Sequence, residues 1–191
     1  MIFSDRSIQS LIDEGRIKNT YDGAINPASL NVRLGTTFLV PRRRKKDILE
    51  LGDEAEYIEW SAEPGEKLMI DSGEFMLATT MEWIDLTNDS DYDIDLAAFV
   101  QGRSSIGRIG LSVQNAGFVD PGFRGQITLE LKNESPNPIG LIVGYPVAQL
   151  VFMEAEKAEH GYSGKYMDQE GATGSRMNLD DMEKFGLKRG A

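Results

Sequence analysis

An all-β domain, a sandwich or barrel with a few short helical pieces, is the fold class that three observations predict. Short runs of alternating apolar and polar residues recur along the chain, turn residues separate most of them, and helical spacing is confined to brief stretches. At 191 residues the chain suits one domain, for which burial of roughly 70% of the unfolded surface is the size-based expectation. No internal repeat and no Pro- or Ser-rich linker divides it. A single domain over 1–191 is expected, with 154–191 as a C-terminal lid or tail.

The first element is a helix over 4–13: Ile8, Leu11 and Ile12 share a face, Ser4 stands where a cap is needed, and Gly15 stops the run. Leu30, Val32 and Leu34 then alternate with Asn31 and Arg33, as in a half-buried strand. Similar runs at 37–40, 67–70, 75–86, 95–100, 125–133, 139–143 and 147–153 read as further strands. The longest apolar stretch, 139–152, is broken by Gly140, Gly144 and Pro146, which makes it two strands around a turn. No segment approaches the ~20 apolar residues that span a bilayer. The opening Met1-Ile2-Phe3-Ser4-Asp5 lacks the basic start and apolar core of a signal peptide, so a cytoplasmic protein without a membrane partner is expected.

Composition narrows the chemistry. Hydrophobic residues make up 40% and charged residues 27%, ordinary for a globular protein. The formal charge of −11 argues against a nucleic-acid partner, which wants a basic face. An acidic protein that binds an anion must gather its arginines in one place. The chain has no Cys and a single His, His160. Disulfides, thiolate nucleophiles, Cys- or His-rich zinc sites and a Ser-His-Asp relay are therefore excluded. Catalysis must rest on carboxylates, hydroxyls, arginines and lysines.

Two charge runs are read as solvated. Arg42-Arg43-Arg44-Lys45-Lys46 lies between strand candidates and suits an exposed loop. Asp89-Ser90-Asp91-Tyr92-Asp93 is not a calcium loop, because Ile94 and Val100 occupy the positions that need Gly and Glu. From Glu154 onward the composition turns to Glu, Lys, Gly, Ser and Tyr. A frayed tail and a lid carrying Tyr162, Lys165 and Gln169 over a ligand are equal alternatives on pattern alone.

The chemistry-bearing residues cluster in two segments. In Gly102-Arg103-Ser104-Ser105-Ile106-Gly107-Arg108, Gly permits close backbone approach, Arg offers a bidentate fork, and two hydroxyls can share phosphate oxygens. A helical turn from Ile106 would add a favourable dipole, and the plain alternative is that Ser104 or Ser105 only caps that turn. In Gln126-Ile127-Thr128-Leu129-Glu130-Leu131 the apolar residues share one strand face, and Gln126, Thr128 and Glu130 share the other. Glu130 is a solvated carboxylate if that face meets water and a base if it lines a pocket. Asp120 precedes the turn pair Pro121-Gly122.

Five ordered stretches resemble the dCTP deaminase branch of the trimeric dUTPase-like superfamily: 27–35 (Pro-Ala-Ser-Leu-Asn-Val-Arg-Leu-Gly), 102–108, 116–123 (Ala-Gly-Phe-Val-Asp-Pro-Gly-Phe), 127–130 and Lys165-Tyr166. The resemblance spans about Met1 to Arg176. It implies a distorted β-barrel subunit (a dUTPase-like β-clip), a homotrimer with sites at subunit interfaces, and Mg2+ carried by the triphosphate. Arg103, Ser104 and Ser105 would hold phosphates, and Arg108 and Ser104 would flank the reacting water. Glu130 would shuttle the proton, Asp120 would sit by the deoxyribose, and Thr128 and Leu129 near the base. Tyr162, Lys165 and Gln169 would close over the ligand.

The residues suit such an activity, because a chain that cannot ligate zinc needs a general base to activate water. Asn31 stands where the family often has Asp, and Gln114-Asn115-Ala116 replaces a His-containing loop. Gly117-Phe118 before Val119-Asp120 looks like the members that deaminate dCTP and cleave dUTP to dUMP and pyrophosphate. The alternatives are a deaminase that releases dUTP and a nucleotide-binding regulatory trimer without turnover.

Overall fold

The computed structural model describes residues 1–43, 48–87, 94–114 and 117–177. In chain order the elements are α1 (Asp5–Asp13), β1 (Ile17–Lys18), β2 (Ile25–Asn26), β3 (Ser29–Pro41), β4 (Tyr57–Ser61), β5 (Lys67–Ile70), β6 (Phe75–Asp85), β7 (Ile94–Gly102), α2 (Ser104–Arg108), β8 (Leu111–Gln114), β9 (Phe118–Val119), β10 (Arg124–Asn133), β11 (Ile139–Ile142) and β12 (Pro146–Glu156). The expected β-dominated class forms, as a curled half-barrel sheet with short helices. Among the described residues the main sheet runs β8-β10-β6-β3-β12-β7-β9, with β1 on β6 and both β2 and β4 on β3. β5 and β11 make a separate two-stranded sheet. Most of the basic run's second half (44–47) and the acidic run (88–93) lie outside the described residues, as do 115–116 of the altered loop.

β3 is the strand about which the sheet turns. Its first residues pair with β12 (Leu30↔Leu150), and its later ones pair with β6 and β4 (Phe38↔Ala78, Phe38↔Trp60). The pattern suggested two strands here, 30–34 and 37–40; one strand runs through both. Gly35 marks a close crossing rather than an end, since an added Cβ would stand 2.4 Å from the Thr79 side chain on β6. Register against β6 shifts at this point, between Leu34 and Phe38.

α1 follows the expected helix. Ile8 and Leu11 are buried, and Gly15 closes the helix at φ 72. Ser4 holds the cap position in an extended conformation, but its side chain makes no capping hydrogen bond. The stretch 139–152 divides into β11 and β12 around Gly144 (φ 85), yet these strands join different sheets, β11 on β5 and β12 on β3 and β7. β1, β2, β4, β8 and β9 were not expected. They are short, and β4 (Tyr-Ile-Glu-Trp-Ser) shows no buried position that would set up an alternation.

Phe38, Phe152, Leu34, Leu129 and Leu131 are among the fully buried side chains of one continuous core. A salt bridge is built into it. Glu82 on β6 is 0% exposed, and it accepts hydrogen bonds from Arg33 Nε at 2.7 Å and from the Arg33 backbone N–H at 2.8 Å. The Arg33 guanidinium also donates to the Asn19 carbonyl and lies 5.0 Å from the Tyr21 ring centre. Burial pushes the Glu82 carboxyl pKa up, opposed by the hydrogen bonds and charge of Arg33. No helix of the described residues is long and apolar enough to cross a membrane.

Candidate active site

β10 carries the central carboxylate. Along this strand Ile127, Leu129 and Leu131 are buried while Gln126, Thr128 and Glu130 are half-buried, the expected alternation. Thr128 and Glu130 open onto a cavity of about 610 Å³. Glu130 lies opposite Leu77 of β6, and Phe75, Leu77, Phe118 and Phe123 make the cavity wall largely apolar. That surrounding desolvates Glu130 and raises its pKa above the ordinary carboxylate range. A carboxyl shifted up this way holds a proton more readily than an exposed one, as a proton shuttle requires.

Asp120 lines the same cavity from a tight turn. The Phe123 N–H donates to the Asp120 carbonyl at 3.1 Å, with Pro121 and Gly122 (φ 90) at the central positions, a type II turn. Its turn role and its place in the cavity wall are thus both realised. The Tyr162 N–H donates to Pro121 O at 2.7 Å, and a Cβ on Gly122 would stand 2.7 Å from that nitrogen. Gly122→Ala is therefore expected to cost about 1–3 kcal/mol and to lift 161–162 from the turn. Thermal denaturation with amide exchange over 160–164 measures both effects; unchanged protection there would remove the contact from the account.

The C-terminal segment, followed to Met177, is docked rather than frayed. Its backbone N–H groups donate one after another to side chains of the barrel: Gly171 to Gln126 Oε1 (2.7 Å), Ala172 to Thr37 Oγ1 (2.7 Å), Thr173 to Thr128 Oγ1 (3.1 Å) and Ser175 to the Tyr57 hydroxyl (3.0 Å). An irregular segment needs such acceptors, because it has no ladder of its own to satisfy its amides. Among the described residues β8 pairs with β10 from Glu130 to Asn133, and the segment meets β10 at Gly125↔Gln169.

Of the residues expected to close over a ligand, Tyr162 and Gln169 line the cavity and Lys165 does not. Tyr162 packs on Phe123 with ring centres 5.9 Å apart. Gln169 is 8% exposed; its Nε2 donates to Gln126 O at 2.7 Å, while its buried Oε1 has no hydrogen-bond partner among the described residues. Lys165 is exposed, and its Nζ donates to Arg176 O at 2.8 Å. Leu129 is 0% exposed in the core and, within one chain, does not line the cavity. Tyr57, Phe75, Leu77, Tyr166 and Thr173 are among the further wall residues, and of these Tyr166 lies in the Lys165-Tyr166 stretch read from the sequence.

The arginine segment stands apart. α2 begins at Ser104, two residues before the turn expected from Ile106, and its cap position is Arg103, so Ser104 and Ser105 are its first residues rather than caps. Ser104, Ser105 and Arg108 are exposed, and the helix buries no residue. Arg103 donates through one guanidinium nitrogen to Pro146 O at 2.8 Å. None of these four lines the cavity, whose described lining contains neither Arg nor Lys. Within one chain the fold brings together Asp120, Thr128, Glu130, Tyr162 and Gln169, and leaves Arg103, Ser104, Ser105, Arg108 and Lys165 outside. Among the described residues no group of three or more His, Cys, Asp or Glu side chains is placed to hold a metal ion.

Comparison with known proteins bears on the same residues. A protein from Persephonella marina named "dCTP deaminase, dUMP-forming" is 41% identical over 185 residues, covering 94% of this chain and 99% of that protein. One of the same name from Aquifex aeolicus is 41% identical over 184 residues, covering 95% and 97%. The crystal structure of 2'-deoxycytidine 5'-triphosphate deaminase from Agrobacterium tumefaciens shares the fold, with a TM-score of 0.61 at 21% identity over 79% of this chain and 48% of that one. The family model described as dCTP deaminase-like matches residues 2–155, which takes in α1, the whole half-barrel, Asp120 and Glu130. By that match and by the identity of its relatives, the chain belongs to the dCTP deaminase-like family.

Proposed function

We propose that the protein hydrolytically deaminates dCTP and carries the product on through dUTP to dUMP and pyrophosphate. The observation that carries this reading is Glu130, a desolvated carboxylate with raised pKa on the wall of a nucleotide-sized cavity. The names of the relatives support the substrate and the product. Glu130 would take a proton from the water that attacks C4 and return it to N3; it would then take the proton of the new C4 hydroxyl and pass it to the amine, which leaves as ammonia as the C4 carbonyl forms. A positioned base of this kind contributes about 10²–10⁴-fold. A second water at the α-phosphate, oriented by Asp120, would release pyrophosphate.

Among the described residues the cavity lining has no Arg or Lys, and a triphosphate needs cations. The half-buried Arg103 and the exposed Ser104, Ser105 and Arg108 of a second copy would supply what is missing, and the resemblance to the trimeric dUTPase-like superfamily makes the working unit a homotrimer with sites between subunits. Ser104 and Arg108 would stabilise charge on the attacked base, at about 3–4 kcal/mol per donor in comparable sites. Thr128 and the Leu129 backbone would meet the base, and Tyr162, Lys165 and Gln169 would close the site. The donor set fits Mg2+ brought in on the phosphates, whose oxygens suit that ion, better than an ion held by the protein alone.

Incubating the purified protein with dCTP and Mg2+ and resolving the products tests the proposal. The expected products are dUMP and pyrophosphate with little free dUTP. Quantitative release of dUTP would leave a simple deaminase. Tight dCTP binding without turnover would leave a regulatory trimer.

A further inference from the structure

Gln126 is not part of the cavity wall, yet its side-chain amide uses both ends. Nε2 donates to the Thr80 carbonyl of β6 at 2.9 Å, and Oε1 accepts the Gly171 N–H at 2.7 Å. The backbone of the same residue meets Gln169: the Gln126 N–H donates to Gln169 O at 3.0 Å, and Gln126 O accepts from Gln169 Nε2 at 2.7 Å. Pinned by its Nε2, the Gln169 amide is left with Oε1 buried and unpartnered at the cavity wall. A buried acceptor without a partner is costly, and a ligand N–H or O–H is its natural complement.

Two further features make this contact specific to the place. Gly125 lets the segment approach so closely that a Cβ there would stand 3.0 Å from both the N and the O of Gln169. At the same point the register between β6 and β10 shifts, between Gln126 and Thr128. That shift leaves the Thr80 carbonyl to a side chain instead of a ladder partner, and the Thr80 hydroxyl accepts the Ile127 N–H at 3.0 Å. Strand irregularity and tail docking therefore meet in one amide.

We propose that Gln126 is a positioning residue for the pocket: by tying Gly171 to the irregular crossing of β6 and β10, it holds Gln169 Oε1 as a fixed acceptor toward the nucleotide. This rests on the nucleotide reading above. The test uses Gln126→Met, which keeps the length and loses both bonds, and Gln126→Thr, a strand former too short to reach either partner. In the free protein, amide exchange over 168–173 is expected to speed by about tenfold while 128–133 keeps its protection. With dCTP, KM is expected to rise about tenfold with kcat within about twofold, because a pre-set acceptor serves ground and transition states alike.

In a Gln169→Ala background the Gln126→Met change is expected to add less than about twofold to KM, since both act through one group. Unchanged exchange over 168–173, a fall in kcat at constant KM, or fully additive effects would each overturn the proposal. So would failure of both variants to fold, which would make Gln126 a residue of stability. If the unaltered protein does not turn over dCTP, the function reading fails separately, and the exchange measurement still decides whether Gln126 holds the segment.

Discussion

Glu130→Gln is expected to lower dCTP deamination by about 10²–10⁴-fold while leaving dCTP affinity nearly unchanged. The amide keeps the size of the carboxyl and its place opposite Leu77, but it cannot take a proton from water. Equilibrium dialysis of dCTP with single-turnover assays separates the two effects; substantial residual turnover would end the assignment of Glu130 as base. The pH dependence adds a second signature. Since burial raises the Glu130 pKa, the acid limb of kcat/KM should lie above the roughly 4.3 of an exposed glutamate.

Stability should carry the opposite sign. A carboxyl whose folded pKa exceeds its unfolded one binds more protons in the folded state between the two values. The folded protein therefore loses stability as pH rises from the unfolded pKa through the raised folded one. Glu130→Gln removes that loss, so the variant should be at least as stable as the unaltered protein at neutral pH. A site residue that stabilises the fold when its charge is removed is one held for chemistry.

The other large effect is expected at Glu82. Glu82→Ala leaves the Arg33 guanidinium without its carboxylate in the core, and breaking a buried pair on one side costs about 3–5 kcal/mol. The Arg33 side chain is 20% exposed and keeps Asn19 O and the Tyr21 ring, which places the expected loss near the lower end. Against a total of about 5–15 kcal/mol, that is enough to unfold a large share of the protein under mild denaturant. Urea denaturation at pH 7 measures it. A double replacement, Arg33→Met with Glu82→Leu, should recover most of the loss, because apolar side chains of similar volume need no partner. A loss below about 1 kcal/mol for the single variant would show that water reaches the pair.

Activity should fall with stability in this case. The Glu82 carbonyl accepts the Thr80 hydroxyl at 2.9 Å, and Thr80 in turn holds the β10 backbone at Ile127. Loosening β6 at Glu82 therefore disturbs the strand at Ile127, immediately before Thr128. The ion pair lies outside the cavity wall, but the register that aims Thr128 and Glu130 depends on it.

Some of this was legible in residues taken one segment at a time. The period-2 pattern of 126–131 put Thr128 and Glu130 on one face, and Pro121-Gly122 announced the turn that presents Asp120. The lack of Cys ruled out thiol chemistry, and the lone His160 left no Cys- or His-rich zinc site to expect. These are local properties, set by backbone geometry and by the donors a residue possesses, and nothing distant can change them.

Other features depended on residues far apart in sequence. Whether the polar face of β10 meets water or a cavity is decided by β6, by β9 and by a segment some forty residues later, which supplies Gln169 and Thr173. Arg33 and Glu82 each sit in an ordinary strand pattern, and only the pairing of β3 with β6 brings them together. Gly35 resembled a strand end and is a strand crossing, because the distance to Thr79 is set by the sheet and not by its neighbours in the chain. Hydrophobic alternation specifies which way a side chain faces; what it then meets is fixed by long-range pairing, where a register shift of one or two residues changes every partner.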